Sequence, residues 1–204
     1  MVANPIIDDV MKEIGQWGDS TFGSAEYRAL GILHHIEEEL EELLASPLDL
    51  EEVADLVVLT ANIVWQNQTQ THARPLSAYF GGPCPLGLDS YIVFRGLKWS
   101  NNGTNWVSDW GNRGNVQIGK IQQMQEMVQE MRKDIAAYGF VAQPSLCQFL
   151  ACICEYVWLV RHLGPSDQPF FSAILQKKME KNYLRQWQKP DSNGVIRHVG
   201  GIQD

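Results

Sequence analysis

The 204-residue chain has few cysteines and few basic residues, and these shortages exclude several classes of protein. Four cysteines with no Cys-x-x-Cys pair are too few for a disulfide scaffold of this length and give no zinc-binding pattern. Sixteen basic residues against 24 acidic ones leave a formal charge of −8. Non-specific binding to nucleic acid depends on Lys and Arg at phosphates, so it is not expected here.

The sequence also lacks a long uninterrupted apolar run and a basic leader. Its longest apolar run, from Leu146 to Val160, is interrupted by Gln148 and Glu155, so no membrane span is expected. The first residues, MVANPIIDDVMKEI, are acidic where a signal peptide is basic. We therefore expect a cytoplasmic protein without a membrane partner.

Apolar residues recur at helical spacing through most of the chain, and no alternation of strands with helices is present. This periodicity predicts an all-α protein in which helices pack on helices. The periodic segments, in chain order, are 6–17, 32–44, 50–64, 118–135, 146–163 and 170–187.

Residues 67–115 break this pattern, because they are rich in Gly, Asn, Pro and Trp and contain one short strand-like run, Tyr91 to Phe94. We therefore predict a helical core formed by residues 1–66 and 144–204, with a mixed, turn-rich insertion at 67–143. The insertion ends in an amphipathic helix whose apolar face must be buried. Packing against a subunit or subdomain is favoured for it, and a lid over the site is the alternative.

Acidic residues are concentrated in the first third of the chain, where residues 1–66 hold 14 acidic and 2 basic residues. Two carboxylate pairs there are spaced i, i+3, Glu39 with Glu42 and Glu52 with Asp55, so each pair lies on one side of its helix. The short linker between the two helices predicts an antiparallel return that lets the pairs face each other.

Four converging carboxylates would repel one another unless a cation neutralised them, and oxygen ligands of this kind select Mg²⁺ or Mn²⁺. The alternative interpretation of the EEELEEL run is a solvated helix face.

Two blocks of the sequence resemble a known family, the all-α NTP pyrophosphohydrolases of the MazG-like superfamily. Their mark is EExxE followed by ExxD, present here as Glu38-Glu39-x-x-Glu42 and Glu52-x-x-Asp55. The C-terminal stretch KMEKNYLRQWQKPDSNGVIRHV resembles the ending of the phage and bacterial dATP/dGTP diphosphohydrolases, the MazZ type. The residues of that ending are Lys178, Asn182, Arg185 and Trp187.

The resemblance implies a MazG-like helical bundle that hydrolyses a deoxypurine triphosphate, dGTP or dATP, to the monophosphate and pyrophosphate. It assigns Glu39, Glu42, Glu52 and Asp55 to Mg²⁺ ions, which polarise the triphosphate and lower the pKa of the attacking water. Glu38 or Glu39 is expected to orient or deprotonate that water. A homodimer or homotetramer is also implied.

Basic and aromatic residues of the matching blocks are the candidates for binding the substrate. One stripe of the last helix, Lys178, Asn182 and Arg185, is predicted to hold the phosphates. The alternative is a solvated basic helix end that the helix macrodipole favours. Three aromatic residues are predicted to stack on the base or else to belong to the core: Trp17, Phe22 and Trp187.

The histidines, the C-terminal tail and the identity of the base are the remaining points on which the sequence bears. His34 and His35 are expected to be structural or surface residues, and the tail from Pro190 is expected to be a turn followed by a loosely packed arm. Because reading of the base depends on the shape of the pocket, a pyrimidine or a modified nucleotide remains an alternative substrate. A nucleotide-binding or assembly protein without turnover is the alternative from another functional class.

Overall fold

The computed structural model of the chain describes residues 6–23, 27–71, 73, 87–101, 113–163, 169–189, 191, 195–197 and 199. This part of the chain contains seven α-helices and no β-strand, which confirms the predicted all-α class. The helices are α1 (Ile7–Phe22), α2 (Ala29–Ala45), α3 (Leu50–Gln70), α4 (Leu88–Asn101), α5 (Arg113–Tyr138), α6 (Gln143–Leu163) and α7 (Phe171–Leu184).

Helix α3 lies at the centre of the bundle and contacts α1, α2, α6 and α7. It begins at the N-cap residue Asp49, whose carboxylate accepts a hydrogen bond from the Glu51 backbone N–H at 2.8 Å. Acidic residues in its first turn also suit the positive end of the helix dipole. The α2–α3 connection spans only residues 46–49, so the two helices return side by side, as the short linker predicted.

Helix α1 crosses α3 at very short range because two glycines leave room for side chains of α3. A Cβ atom added at Gly15 would overlap the Cβ of Trp65, and one added at Gly18 would overlap the amide oxygen of Asn62. The indole N–H of Trp65 also donates to Asp19 of α1 at 2.7 Å. This crossing fixes the C-terminal half of α1, which carries two aromatic residues of the site described below, Trp17 and Phe22.

The strand-like run predicted at Tyr91 to Phe94 is wrong, because these residues lie within α4. Leu88, Tyr91 and Ile92 are buried at helical spacing against the bundle. A run of four apolar residues has no periodicity that separates a strand from one turn of a buried helix. The turn-rich stretches at 74–86 and 102–112 lie outside the described residues.

Helix α5, from the predicted insertion, packs on α2 and α6 of the same chain. Four residues of its apolar face are fully buried there, Ile121, Met124, Val128 and Met131. An ionic cluster also joins α4, α5 and α6, since Glu155 accepts from Arg95 at 2.6 Å and from Lys120 at 2.7 Å. That this segment is an insertion, relative to the family's minimal form, stays a prediction.

Helix α6 is buried along most of its length and carries three free cysteines, Cys147, Cys152 and Cys154. Burial raises the pKa of the Cys147 thiol to about 12 and that of the Cys152 thiol to about 11. Both are therefore protonated core thiols, as the sequence predicted. Within the described part of the chain, no helix is long and apolar enough to cross a membrane.

Candidate metal and nucleotide site

The α2–α3 hairpin brings three of the four predicted metal ligands together. Glu39 of α2 faces Glu52 and Asp55 of α3, and one carboxylate oxygen from each lies within 4.8 Å of the others. Glu39 is buried and the other two are half-buried, so this is not a solvated helix face. Glu42 lies one turn further along α2, is exposed, and stands outside this three-residue cluster.

Crowding of these carboxylates changes their protonation. Burial, with the charges of Glu39 and Asp55, raises the pKa of Glu52 to about 7. Burial and the charge of Glu39 raise the pKa of Asp55 to about 6, although Lys178 opposes this rise. The pKa of Glu42 is also raised, by burial and then by Glu39. The raised pKa values indicate that these carboxylates have too little positive charge around them to keep them ionised. A divalent cation would supply that charge.

The C-terminal helix α7 supplies one cation to this cluster. Lys178 is buried and forms an ion pair with Asp55. One turn further along, Asn182 is also buried, and its side-chain oxygen accepts a hydrogen bond from Arg185 at 3.2 Å. The predicted stripe of Lys178, Asn182 and Arg185 therefore lies beside the carboxylates. Lys181 pairs with Glu51 at 2.8 Å on the exposed rim.

His35, expected to be structural or at the surface rather than a ligand, lies in the cavity wall beside Glu39. Its Nε2 atom lies 2.9 Å from a carboxylate oxygen of Glu39, one turn further along α2. Burial lowers the pKa of the imidazole, but the hydrogen bond and charge of Glu39 outweigh burial, so the net shift is upward. The i, i+4 spacing of His35 and Glu39 is the signal that could have identified this pair.

Three predicted aromatic residues form one cluster. The rings of Trp17, Phe22 and Trp187 meet edge to face, with centroids 5.3–5.7 Å apart. The indole N–H of Trp187 donates to the backbone oxygen of Asn182 at 3.3 Å, which ties this cluster to α7.

The aromatic cluster and two of the three clustered carboxylates line the same cavity. Glu39, Asp55 and Asn182 belong to its wall together with all three aromatic rings, so charged and aromatic groups face one space. Eight further lining residues were not predicted from the sequence as site residues: Arg28, Gly31, Ile32, His35, Val58, Leu59, Asn62 and Ile196.

The C-terminal segment packs against the site, so the expectation of a loosely packed arm is wrong for its described residues. Backbone hydrogen bonds join Gln188 to Arg197 at 2.8 Å and Val199 to Gln186 at 2.7 Å. Val195 is buried, and Ile196 lines the cavity. The segment folds back because an apolar Val-Ile pair can be buried beside the aromatic cluster.

Glu38, predicted as a catalytic carboxylate, lies at the rim rather than in the three-carboxylate cluster. Its side chain is 44% exposed and forms an ion pair with Arg197 of the C-terminal segment. Arg197 also contacts Asp191 at 2.8 Å. The pair therefore links the acidic helix α2 to the segment that covers the cavity.

Comparison with known proteins bears on this same part of the chain. Residues 10–71 match the family model of the dATP/dGTP pyrophosphohydrolases. No curated protein and no solved structure gives a significant match. The matched residues span α1 to α3 and include all four predicted metal ligands, whereas the basic stripe on α7 lies outside them. The segment that carries the acidic cluster is thus similar to the dATP/dGTP pyrophosphohydrolases.

Proposed function

We propose that this protein is a Mg²⁺-dependent pyrophosphohydrolase that converts dGTP or dATP to the monophosphate and pyrophosphate. One observation carries the proposal, namely that two of the three clustered carboxylates, Glu39 and Asp55, line a single cavity with three clustered aromatic rings. A nucleoside triphosphate has the matching chemistry, with an apolar planar base at one end and a chain of anionic phosphates at the other.

The donor set fits Mg²⁺, because every candidate ligand is a carboxylate oxygen and the cluster carries more negative than positive charge. Glu39, Glu52 and Asp55 would hold the ion, and the family pattern adds Glu42. When bound, Mg²⁺ would neutralise phosphate charge and make the phosphorus under attack more electrophilic.

The chain's own residues would bind and orient the triphosphate. Lys178 pairs with Asp55 and Arg185 bonds to Asn182 of the cavity wall. Both positive charges suit phosphate oxygens, which Arg binds through two N–H groups at once. Trp17, Phe22 and Trp187 would hold the base through ring contacts. Much of the catalysis of phosphoryl transfer is positioning and charge stabilisation, so this set of residues suffices.

The reaction requires a water molecule and a proton acceptor. The water oxygen would bond to the α-phosphorus, the bond from that phosphorus to the bridging oxygen would break, and pyrophosphate would leave. A carboxylate would accept the proton of the water. Glu39 is the stronger candidate because it is buried in the cavity wall, whereas Glu38 is exposed and paired with Arg197.

The proposal is tested by turnover of a panel of dNTPs and NTPs with Mg²⁺, with EDTA, and with the Asp55→Asn variant. We expect a purine deoxynucleotide to be cleaved only with metal and only by the protein that retains Asp55. Binding without turnover would indicate the non-catalytic alternative, and cleavage restricted to a pyrimidine would contradict the substrate assignment.

The proposal includes assembly into two or four copies, which the family resemblance implies. Light scattering coupled to size-exclusion chromatography measures the mass directly. A monomer at the concentrations used in the assays would contradict this part of the proposal and leave the activity untouched.

A further inference from the structure

Arg28 lines the cavity and contacts a ring of the aromatic cluster. It immediately precedes α2, and its guanidinium carbon lies 5.5 Å from the centroid of the Phe22 ring. Its side chain is only 10% exposed and lines the cavity. The cations proposed above to bind phosphate are Lys178 and Arg185, and Arg28 differs from them in contacting the Phe22 ring of the aromatic cluster.

The orientation of Arg28 is fixed from several sides. Its backbone N–H donates to the side chain of Gln66 at 2.8 Å, and its guanidinium donates to the backbone oxygen of Gly23. A second guanidinium nitrogen lies 3.8 Å from Asp19. A planar group with five N–H donors, held in this way beside an aromatic cluster, is preorganised for acceptors in the plane of a stacked base.

Purines and pyrimidines differ in the acceptors that such a group can reach. Both purines have N7 as an acceptor, and guanine adds O6 beside it, which is the pair that arginine binds with two parallel hydrogen bonds. Adenine has a donor, its N6 amino group, in the position of O6. Pyrimidines have no N7.

Asn62 also lines the cavity and has an uncharged amide that could read a base. An adenine is bound by Asn through one donor and one acceptor together. Here the Asn62 amide nitrogen donates to the backbone oxygen of Val58 at 2.9 Å. Its amide oxygen occupies the space that a side chain at Gly18 would take. The geometry therefore favours reading by Arg28 over reading by Asn62.

We propose that Arg28 selects the base by donating to N7 of a purine held against the aromatic cluster, with guanine preferred because O6 accepts a second hydrogen bond. This inference rests on the proposed function and deepens it, since it names the base and the residue that recognises it.

The test compares kcat/KM of the unmodified protein for dGTP, dATP and 7-deaza-dGTP, in which carbon replaces N7. We expect 7-deaza-dGTP to be cleaved about 10-fold less efficiently than dGTP, and dATP to fall below dGTP as well. In Arg28→Met, dGTP and 7-deaza-dGTP should become equivalent, because the group that distinguishes them is absent. Arg28→Lys should retain part of the difference.

Arg161→Met is the matched control, because Arg161 lies 5.2 Å from the ring centroid of Phe170 in a similar contact outside the cavity. It should leave the ratio of the two substrates unchanged. Equal use of dGTP and 7-deaza-dGTP by the unmodified protein would overturn the inference while leaving the proposed function intact. Failure to cleave any purine deoxynucleotide would contradict the proposed function itself, and this inference with it.

Discussion

Lys178 on the C-terminal helix is ion-paired with Asp55, one of three carboxylates that lie close enough together to share a metal ion. This contact joins the acidic first third of the chain to its basic end. One ammonium group beside three carboxylates leaves excess negative charge in a partly buried place. The raised pKa values of Glu52 and Asp55 are the consequence.

Removing one carboxylate of the cluster should abolish metal binding and turnover while preserving the fold. We expect Glu52→Gln and Asp55→Asn each to lower kcat/KM by more than about 100-fold, because losing a direct ligand costs more than losing a residue that supports one. Isothermal titration with Mg²⁺ or Mn²⁺ measures the loss of binding. Glu51→Gln is the matched control, since Glu51 is the exposed neighbour of Glu52 and pairs with Lys181. Equal losses of Mg²⁺ binding in Glu52→Gln, Asp55→Asn and Glu51→Gln would contradict the assignment of Glu52 and Asp55 as metal ligands.

Stabilisation of the protein by Mg²⁺ should increase with pH. Glu52 and Asp55 have pKa values raised to about 7 and about 6, so without metal the folded state binds more protons than the unfolded state between about pH 4 and 7. Their contribution to the stability of the metal-free protein therefore falls as the pH rises through this range.

Metal binding requires the ionised carboxylates, so added Mg²⁺ should raise the melting temperature more at pH 8 than at pH 5.5. Thermal melts with and without Mg²⁺ at the two pH values check this expectation. A larger increase at pH 5.5 would show that these carboxylates do not bind the ion.

His35 should act on metal affinity through Glu39. Its hydrogen bond of 2.9 Å orients one oxygen of Glu39, so His35→Ala should weaken Mg²⁺ binding by about 10- to 100-fold. His35→Gln keeps an N–H donor and should restore part of the affinity. His34→Ala is the control, because His34 contacts Glu37 and Arg132 instead. Unchanged titration curves for His35→Ala would rule out this positioning role.

The close crossing of α1 and α3 should depend on Gly15. A methyl group there would overlap the Cβ of Trp65, which cannot move without its helix, so Gly15→Ala should cost about 1–3 kcal/mol in the free energy of unfolding. Gly119→Ala is a matched substitution in α5 with open space around it, and should stabilise the protein by up to about 1 kcal/mol. Urea denaturation measures both. Equal destabilisation by Gly15→Ala and Gly119→Ala would show that the contact between Gly15 and Trp65 is not the cause of the loss in stability.

The helical bundle and the acidic cluster could be predicted because both depend on spacing within single helices. The i, i+3 pairs Glu39–Glu42 and Glu52–Asp55 and the short α2–α3 linker were enough to bring the carboxylates of two helices together. The position of Glu42 outside the cluster could not be predicted. Whether its turn of α2 faces α3 or the solvent depends on the exact rotation of the two helices.

Features that depend on tertiary contacts were missed. The α4 residues Tyr91 and Ile92 look equally suited to a strand until the helix that buries them is known. Ile196 and Arg28 lie outside the periodic helical segments, and only the folded chain shows that they line the cavity. The sequence therefore predicted residues within the helices that match the family pattern better than cavity residues outside them.

The most direct test of the central claim is the fate of ¹⁸O from labelled water during Mg²⁺-dependent turnover of dGTP, followed by ³¹P NMR. Attack at the α-phosphorus predicts dGMP that carries the label and pyrophosphate that does not. Orthophosphate as the first product, or label in the pyrophosphate, would contradict the account.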